Sequence, residues 1–151
     1  GTGVQAGAVL GKEKQQHLIF ASHDKSNGYR YNTAFENNKI FYQGNVQIND
    51  KNEILGSAGY INNGFGANGF YAAPGDLNST EIVQTTFANI QSNHQITENW
   101  KIMPRVTYRY NYDDYRYLGN SNLAVGRSQH YTNSIAGELN STVKLSKGEI
   151  R

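Results

Sequence analysis

Two stretches of the chain alternate so regularly that each separates an apolar side from a polar one. In residues 101–114, KIMPRVTYRYNYDD, one parity carries Ile102, Pro104, Val106, Tyr108, Tyr110 and Tyr112, and the other Lys101, Arg105, Thr107, Arg109 and Asn111. In residues 131–145 one parity holds Tyr131, Asn133, Ile135, Gly137, Leu139, Val143 and Leu145, and the other Thr132, Ser134, Glu138, Asn140, Thr142 and Lys144. Successive side chains of a strand point to opposite faces, so both stretches predict β-strands with two unlike faces. They are far longer than the five or six residues (roughly) typical of strands in soluble domains. A membrane barrel fits that length better.

Strand-like runs fall near 3–10, 16–24, 38–49, 53–61, 81–96, 100–115 and 130–145. Between them, short polar connections at 11–15, 49–52, 97–99 and 146–149 alternate with long ones at 25–37, 62–80 and 116–129, rich in Gly, Asn, Ser and Tyr. This is the rhythm of an antiparallel up-and-down barrel. Outer-membrane barrels turn tightly on the periplasmic side and carry their longer loops outside, which places the long set outward. The first run then travels inward, as an even-numbered strand would. The chain also opens Gly-Thr-Gly without Met and ends just after a turn-like SKGE, so both ends look cut. The expected fold class is therefore all-β: a partial transmembrane barrel, with residues 1–151 supplying about seven to eight strands of a larger one.

Composition narrows the alternatives. Only 37% of the 151 residues are hydrophobic, and no apolar run approaches the roughly 18 residues of a membrane helix. Low hydropathy does not argue against a barrel, where only every second residue meets lipid. Aromatic residues make up 12%, with Tyr the most frequent, which suits interfacial girdles, a binding surface or ordinary sheet packing. The net charge of +2 is spread without basic clusters, so a nucleic-acid partner is not expected. The absence of Cys removes disulfides and thiolate metal sites. The polar parity carries long side chains, Arg105 and Arg109 among them, that suit a hydrated or plugged lumen better than a dry core.

Several segments together resemble TonB-dependent outer-membrane receptors, the vitamin B12- and siderophore-receptor-like members common in Bacteroidetes. Residues 26–35, SNGYRYNTAF, look like the first loop region after the plug. Residues 65–71, FGANGFY, look like a loop of the F-G-A-N-x-F-Y type. Residues 99–118 resemble the P-x-x-x-Y-R strand with aspartates at its outer end, and 129–133, QHYTN, resemble the N-x-H-x-T opening of the next strand, with Gln129 in place of Asn. The set runs in family order along nearly the whole chain. The resemblance implies an N-terminal plug inside a barrel of about 22 strands, with the plug, the TonB-engaging segment and much of the barrel outside this stretch. It further implies energised import of a scarce small-molecule nutrient, such as a cobalamin, a ferric chelate or an oligosaccharide. Implied partners are outer-membrane lipid, the plug and TonB; the implied location is the outer membrane of a Gram-negative cell.

Gly64, Gly66 and Gly69 spell G-x-G-x-x-G, but Pro74 and Gly75 would interrupt the helix a phosphate site needs, so a glycine-bent loop with Phe65, Phe70 and Tyr71 as anchors is expected instead. Ser22, His23 and Asp24 are adjacent on a strand, where neighbours point apart, and cannot form a catalytic relay. His17, His94 and His130 have no ligand spacing. Asp113 and Asp114 offer oxygen ligands that would suit Ca²⁺, or are solvated carboxylates at a loop edge. Arg105 and Arg109, two residues apart on one face, either meet an anionic chelate or plug carboxylates, or pair within the wall. The tyrosines beside long connections, 29, 31, 71, 112, 115, 117 and 131, anchor the outer interface or line a vestibule. The expectation is a transporter rather than an enzyme, with no cofactor, and with Tyr31, Phe70, Tyr71, Asp113, Asp114 and Tyr115 as substrate-capturing loop residues. Rivals are a soluble glycan-binding β-sandwich, in which the apolar faces of 102–112 and 131–145 oppose one another, and a small closed outer-membrane barrel.

Overall fold

The computed structural model describes residues 1–71, 78–117 and 126–150. They form one antiparallel sheet of eight strands: β1 (Thr2–Lys12), β2 (Gln15–Ser26), β3 (Phe35–Asn49), β4 (Asn52–Gly66), β5 (Thr80–Thr97), β6 (Trp100–Arg116), β7 (Arg127–Leu145) and β8 (Gly148–Ile150). The spatial order is the sequence order, so every strand pairs with its chain neighbours. β1 and β8 are not paired to each other, and the sheet is open rather than closed on itself. β8 covers only Val143 to Leu145 of β7, leaving most of that edge bare.

The two-residue connections 13–14, 50–51, 98–99 and 146–147 are at one end of the strands, and the connections 27–34, 67–79 and 117–126 at the other. The alternation read from the sequence holds, but the long connections are shorter than expected. Residues 35–37 and 62–66 were expected in loops, as the ends of connections rich in Gly, Asn, Ser and Tyr, yet Asn37 pairs with Asn63 and Glu36 with Gly64. Strand propensity is weak next to cross-strand pairing, and a ladder already formed on both sides carries poor strand formers along. The calls on Pro74 and Gly75 lie outside the described residues. Gly69 has φ 76°, the left-handed turn geometry glycine favours.

Cross-strand register places the two patterned stretches side by side. Val106 faces Gly137, Tyr108 faces Ile135 and Tyr112 faces Tyr131, so both apolar parities share one face of one layer. A sandwich would oppose these surfaces across a core; here they are neighbours. The same face carries Ala6, Ala8 and Leu10 of β1, Ile19 of β2, Ile40 of β3, Tyr60 of β4 and Ile90 of β5. None of the described residues covers it: Ile135 is 76% exposed and Leu139 71%, and Ala67 is the one buried apolar residue among those described.

The opposite face is polar but not uniformly so. Its central row runs Phe20, Phe41, Gly59, Phe87, Arg109. The Phe41 and Phe87 rings approach to 6.3 Å across the glycine, where a β-carbon would come within 2.5 Å of Phe87. Arg105 on this face pairs with Glu138 across the β6–β7 ladder, the wall-pairing alternative for that residue. Arg109 is exposed and makes no ion pair among the described residues.

Candidate functional site

The loop end of the polar face draws most of the expected site residues together. Phe65, next to last in β4, faces Glu81, which in turn faces Tyr115 on β6. Phe70 and Tyr71, which follow β4, bend back over this row. Phe70 meets Phe65 at 5.5 Å between ring centroids, Tyr71 meets Phe70 edge-on at 5.0 Å, and Tyr115 meets Tyr71 edge-on at 4.7 Å. Edge-to-face contacts within this range satisfy the ring quadrupoles, so the four rings form one continuous surface.

Beneath the rings lies an acidic pair. Tyr71 donates its hydroxyl to Glu81 Oε1 at 2.8 Å, and Glu81 is only 3% exposed. Asp113 sits diagonally across the ladder on the same face, close enough to interact with the Glu81 carboxyl. Glu81 Oε2 and Asp113 Oδ1 are both buried with no hydrogen-bond partner among the described residues. Two adjacent carboxyl oxygens in that condition call for a proton or a donor between them. Tyr71 as a whole is 59% exposed, but its hydroxyl is turned inward to Glu81. Loss of water there, then the bond to Glu81, pushes the phenol up to about 12.

The first long connection is stitched to the second. Tyr31 donates to Asn78 Oδ1, Asn32 Nδ2 donates to the Ser79 carbonyl at 2.6 Å, and Asn68 Nδ2 donates to the Tyr31 carbonyl at 2.9 Å. Asn32 has φ 52°, a conformation Asn tolerates better than most residues. A groove of about 520 Å³ opens beside this staple on the opposite, apolar side of the sheet, bordered by Asn32, Glu36, Gly66, Ile82, Asp114 and Arg116 among others, and Phe70, Tyr71 and Tyr115 of the ring cluster do not line it. That volume lies within the range of small-molecule pockets. A comparable hollow of about 500 Å³ at the opposite end is bordered by the β1–β2 turn and Val46, and no aromatic side chain converges on it.

No family model, curated protein or solved structure matches the chain.

Tyr31, Phe70, Tyr71, Asp113 and Tyr115 thus gather at one rim. Asp114 does not join them. It follows Asp113 on a strand and points to the apolar face, so the two aspartates cannot ligate one ion together. Asp114 is 2% exposed and clamped by Arg127, through Nε at 2.7 Å and Nη2 at 2.8 Å, and by Arg116 at 3.0 Å. Among the described residues no group of three or more His, Asp or Glu is arranged to hold a metal. His23 shares the apolar parity and meets Asn38 at 2.8 Å, while Ser22 and Asp24 take the other face. Gly64 and Gly66 belong to β4, not to a phosphate-cradling loop.

Glu81 and Asn32 were not singled out from the sequence. The signal for Glu81 was its parity: it shares the face of Asp113 and Tyr115 once β5 and β6 are paired. Asn32 and Asn68 contact each other only through tertiary folding of two loops, which no strand pattern encodes.

Proposed function

We propose that the chain is part of the wall and outer rim of a TonB-dependent outer-membrane receptor, a β-barrel importing a scarce nutrient such as a cobalamin or a ferric chelate. The observation that carries this reading is the single-layer sheet with one bare apolar face, one polar face and two open edges. Exposed apolar surface and unpaired strand edges are liabilities in water. Lipid on one side, a hydrated lumen on the other and further strands at the edges would resolve all three together.

Dimensions agree. From Tyr131 to Val143, β7 covers about 40 Å at about 3.3 Å per residue, and tilted by about 40° it rises about 30 Å, the thickness of a bilayer core. Tyr60, Tyr108, Tyr110, Tyr112 and Tyr131 lie toward the loop end of the apolar face. Trp100 lies toward the turn end, where its Nε1 donates to Ser141 Oγ at 2.9 Å. Aromatic rings at both borders of an apolar band are what membrane interfaces favour. β5, β6 and β7, of 18, 17 and 19 residues, exceed the roughly 9–11 needed to cross. Their surplus projects beyond the membrane at the loop end and carries the aromatic–acidic rim.

On this reading Phe70, Tyr71 and Tyr115 supply flat contact area to the arriving nutrient, and the buried Glu81 carboxyl holds Tyr71 in place through its hydroxyl. Inward passage follows plug rearrangement driven from the inner membrane. The test is uptake of labelled cobalamin and ferric chelates by cells that make the protein, with and without a protonophore. Protonophore-sensitive uptake of one of them, lost on deletion of the gene and lowered by Y71A, is expected. Uptake indifferent to deletion for every nutrient tried would contradict the proposal.

A further inference from the structure

We propose that Arg116 and Arg127, held by Asp114 at the loop end of the apolar face, bind the phosphate of an anionic lipid headgroup; the inference rests on the membrane reading above. The two arginines are direct cross-strand partners. Like charges in that position repel, and the buried Asp114 between them compensates only one. A positive charge is left over. Each guanidinium carries five N–H donors and no acceptor, whereas the carboxylate takes three bonds from the pair. Arg116 Nε is buried without an acceptor. The site therefore has surplus charge, surplus donors and a fork geometry suited to a tetrahedral anion.

Its position selects the source of that anion. Below Asp114 and Gln129 on the same face come Tyr112 and Tyr131, with ring centroids 5.0 Å apart. Tyr rings settle at headgroup level. The arginines stand four residues further out, about 13 Å along the strand, and long side chains reach back toward the interface. The other charges in this band are Lys25 and Glu36, already paired at 3.7 Å. Arg109, a β6 cation with no ion pair among the described residues, faces the opposite way.

The test is native mass spectrometry of the full-length protein in an uncharged detergent, titrated with dioleoylphosphatidic acid and dioleoylphosphatidylcholine. R116Q leaves the two-bond Arg127–Asp114 contact in place and should weaken phosphatidic acid binding about fivefold, the effect of one cation near an anionic surface. R109Q should leave it unchanged. Should R116Q fold poorly, R116K keeps the charge, loses the fork and should give a smaller loss. Unchanged binding in R116Q, or in R116K where that variant stands in, would overturn the assignment, as would an equal loss in R109Q. Displacement of the lipid by equimolar inorganic phosphate would overturn the headgroup as source. A nitroxide on L139C separates the two readings. A label accessible to a water-soluble nickel reagent refutes the membrane placement, and a lipid-shielded label with no R116Q effect refutes only the phosphate site.

Discussion

Replacing Gly66 with Ala should detach the first long loop from the second. An alanine β-carbon at Gly66 would lie 2.4 Å from the Asn32 carbonyl oxygen and 2.6 Å from its carbonyl carbon. These are backbone atoms and cannot swing aside as a side-chain end can, so Asn32 must shift. Its shift strains the bonds from Asn68 N to Asn32 O, from Asn32 Nδ2 to Ser79 O, and from Asn68 Nδ2 to Tyr31 O. At about 0.5–1.5 kcal/mol net for each of these bonds, the staple loses roughly 2–4 kcal/mol, or about 30- to 700-fold in its opening equilibrium. Hydrogen exchange of the Ala67 and Asn68 amides reads that opening directly, because both donate inside the staple. Gly64→Ala is the matched control. It lies two residues earlier on the same strand and face, and a β-carbon there meets nothing within 4 Å. Equal exchange at Asn68 in the two variants would refute the close-approach argument.

Further outcomes concern the rim and the wall. The Tyr71 phenol has its pKa raised, so the protonated form is favoured in the fold: the contact to Glu81 is intact below the ordinary value near 10 and is lost as pH rises toward about 12. Difference absorbance at 295 nm between the wild type and Y71F should show one phenol ionising near 12; ionisation near 10 contradicts the inward-turned hydroxyl. The Arg105–Glu138 pair has side chains 37% and 43% exposed, so a double-mutant cycle in chemical denaturation should return a coupling below about 1 kcal/mol; a much larger value means that this face is dry. Gly59→Ala must push the Phe87 ring off Phe41 and should cost about 1 kcal/mol of stability, measured by thermal melting; no change would show that the ring contact is idle.

The fold was largely legible because period-two alternation encodes both the strand and its face. Parity alone put Tyr108 and Ile135 on the apolar sides of their strands and Arg105 and Glu138 on the polar sides, and the ladder joins like side to like. It also separated Ser22 and Asp24 from His23. The same rule, applied to Asp113 and Asp114, would have divided them, and the sequence reading erred there by treating neighbours as one site. Loop boundaries were less legible. Asn62, Asn63 and Gly64 are poor strand formers that pair because β3 and β5 flank them.

The rim was legible only in its aromatic content. That Phe70 and Tyr71 fold back over Phe65 and Tyr115, and that Glu81 closes the cluster from below, depends on loop conformation, for which a single sequence has no periodic signal. The Asp114 clamp was hidden for a related reason. Arg127 lies beyond a connection, and only the β6–β7 register brings it opposite Arg116. The phenylalanine row on the polar face escaped notice because Phe20, Phe41 and Phe87 come from three strands whose individual patterns are mostly polar.

The central claim is that one face of this sheet meets lipid and the other a hydrated interior. A chain with no Cys permits a nitroxide scan along β7 from residue 128 to residue 143, one position at a time, in the native protein reconstituted into bilayers. The account predicts a period of two: oxygen-accessible and nickel-shielded signals at 131, 135, 139 and 143, and the reverse at 132, 134, 138 and 142. Uniform water exposure along the strand, or the opposite parity, would contradict it.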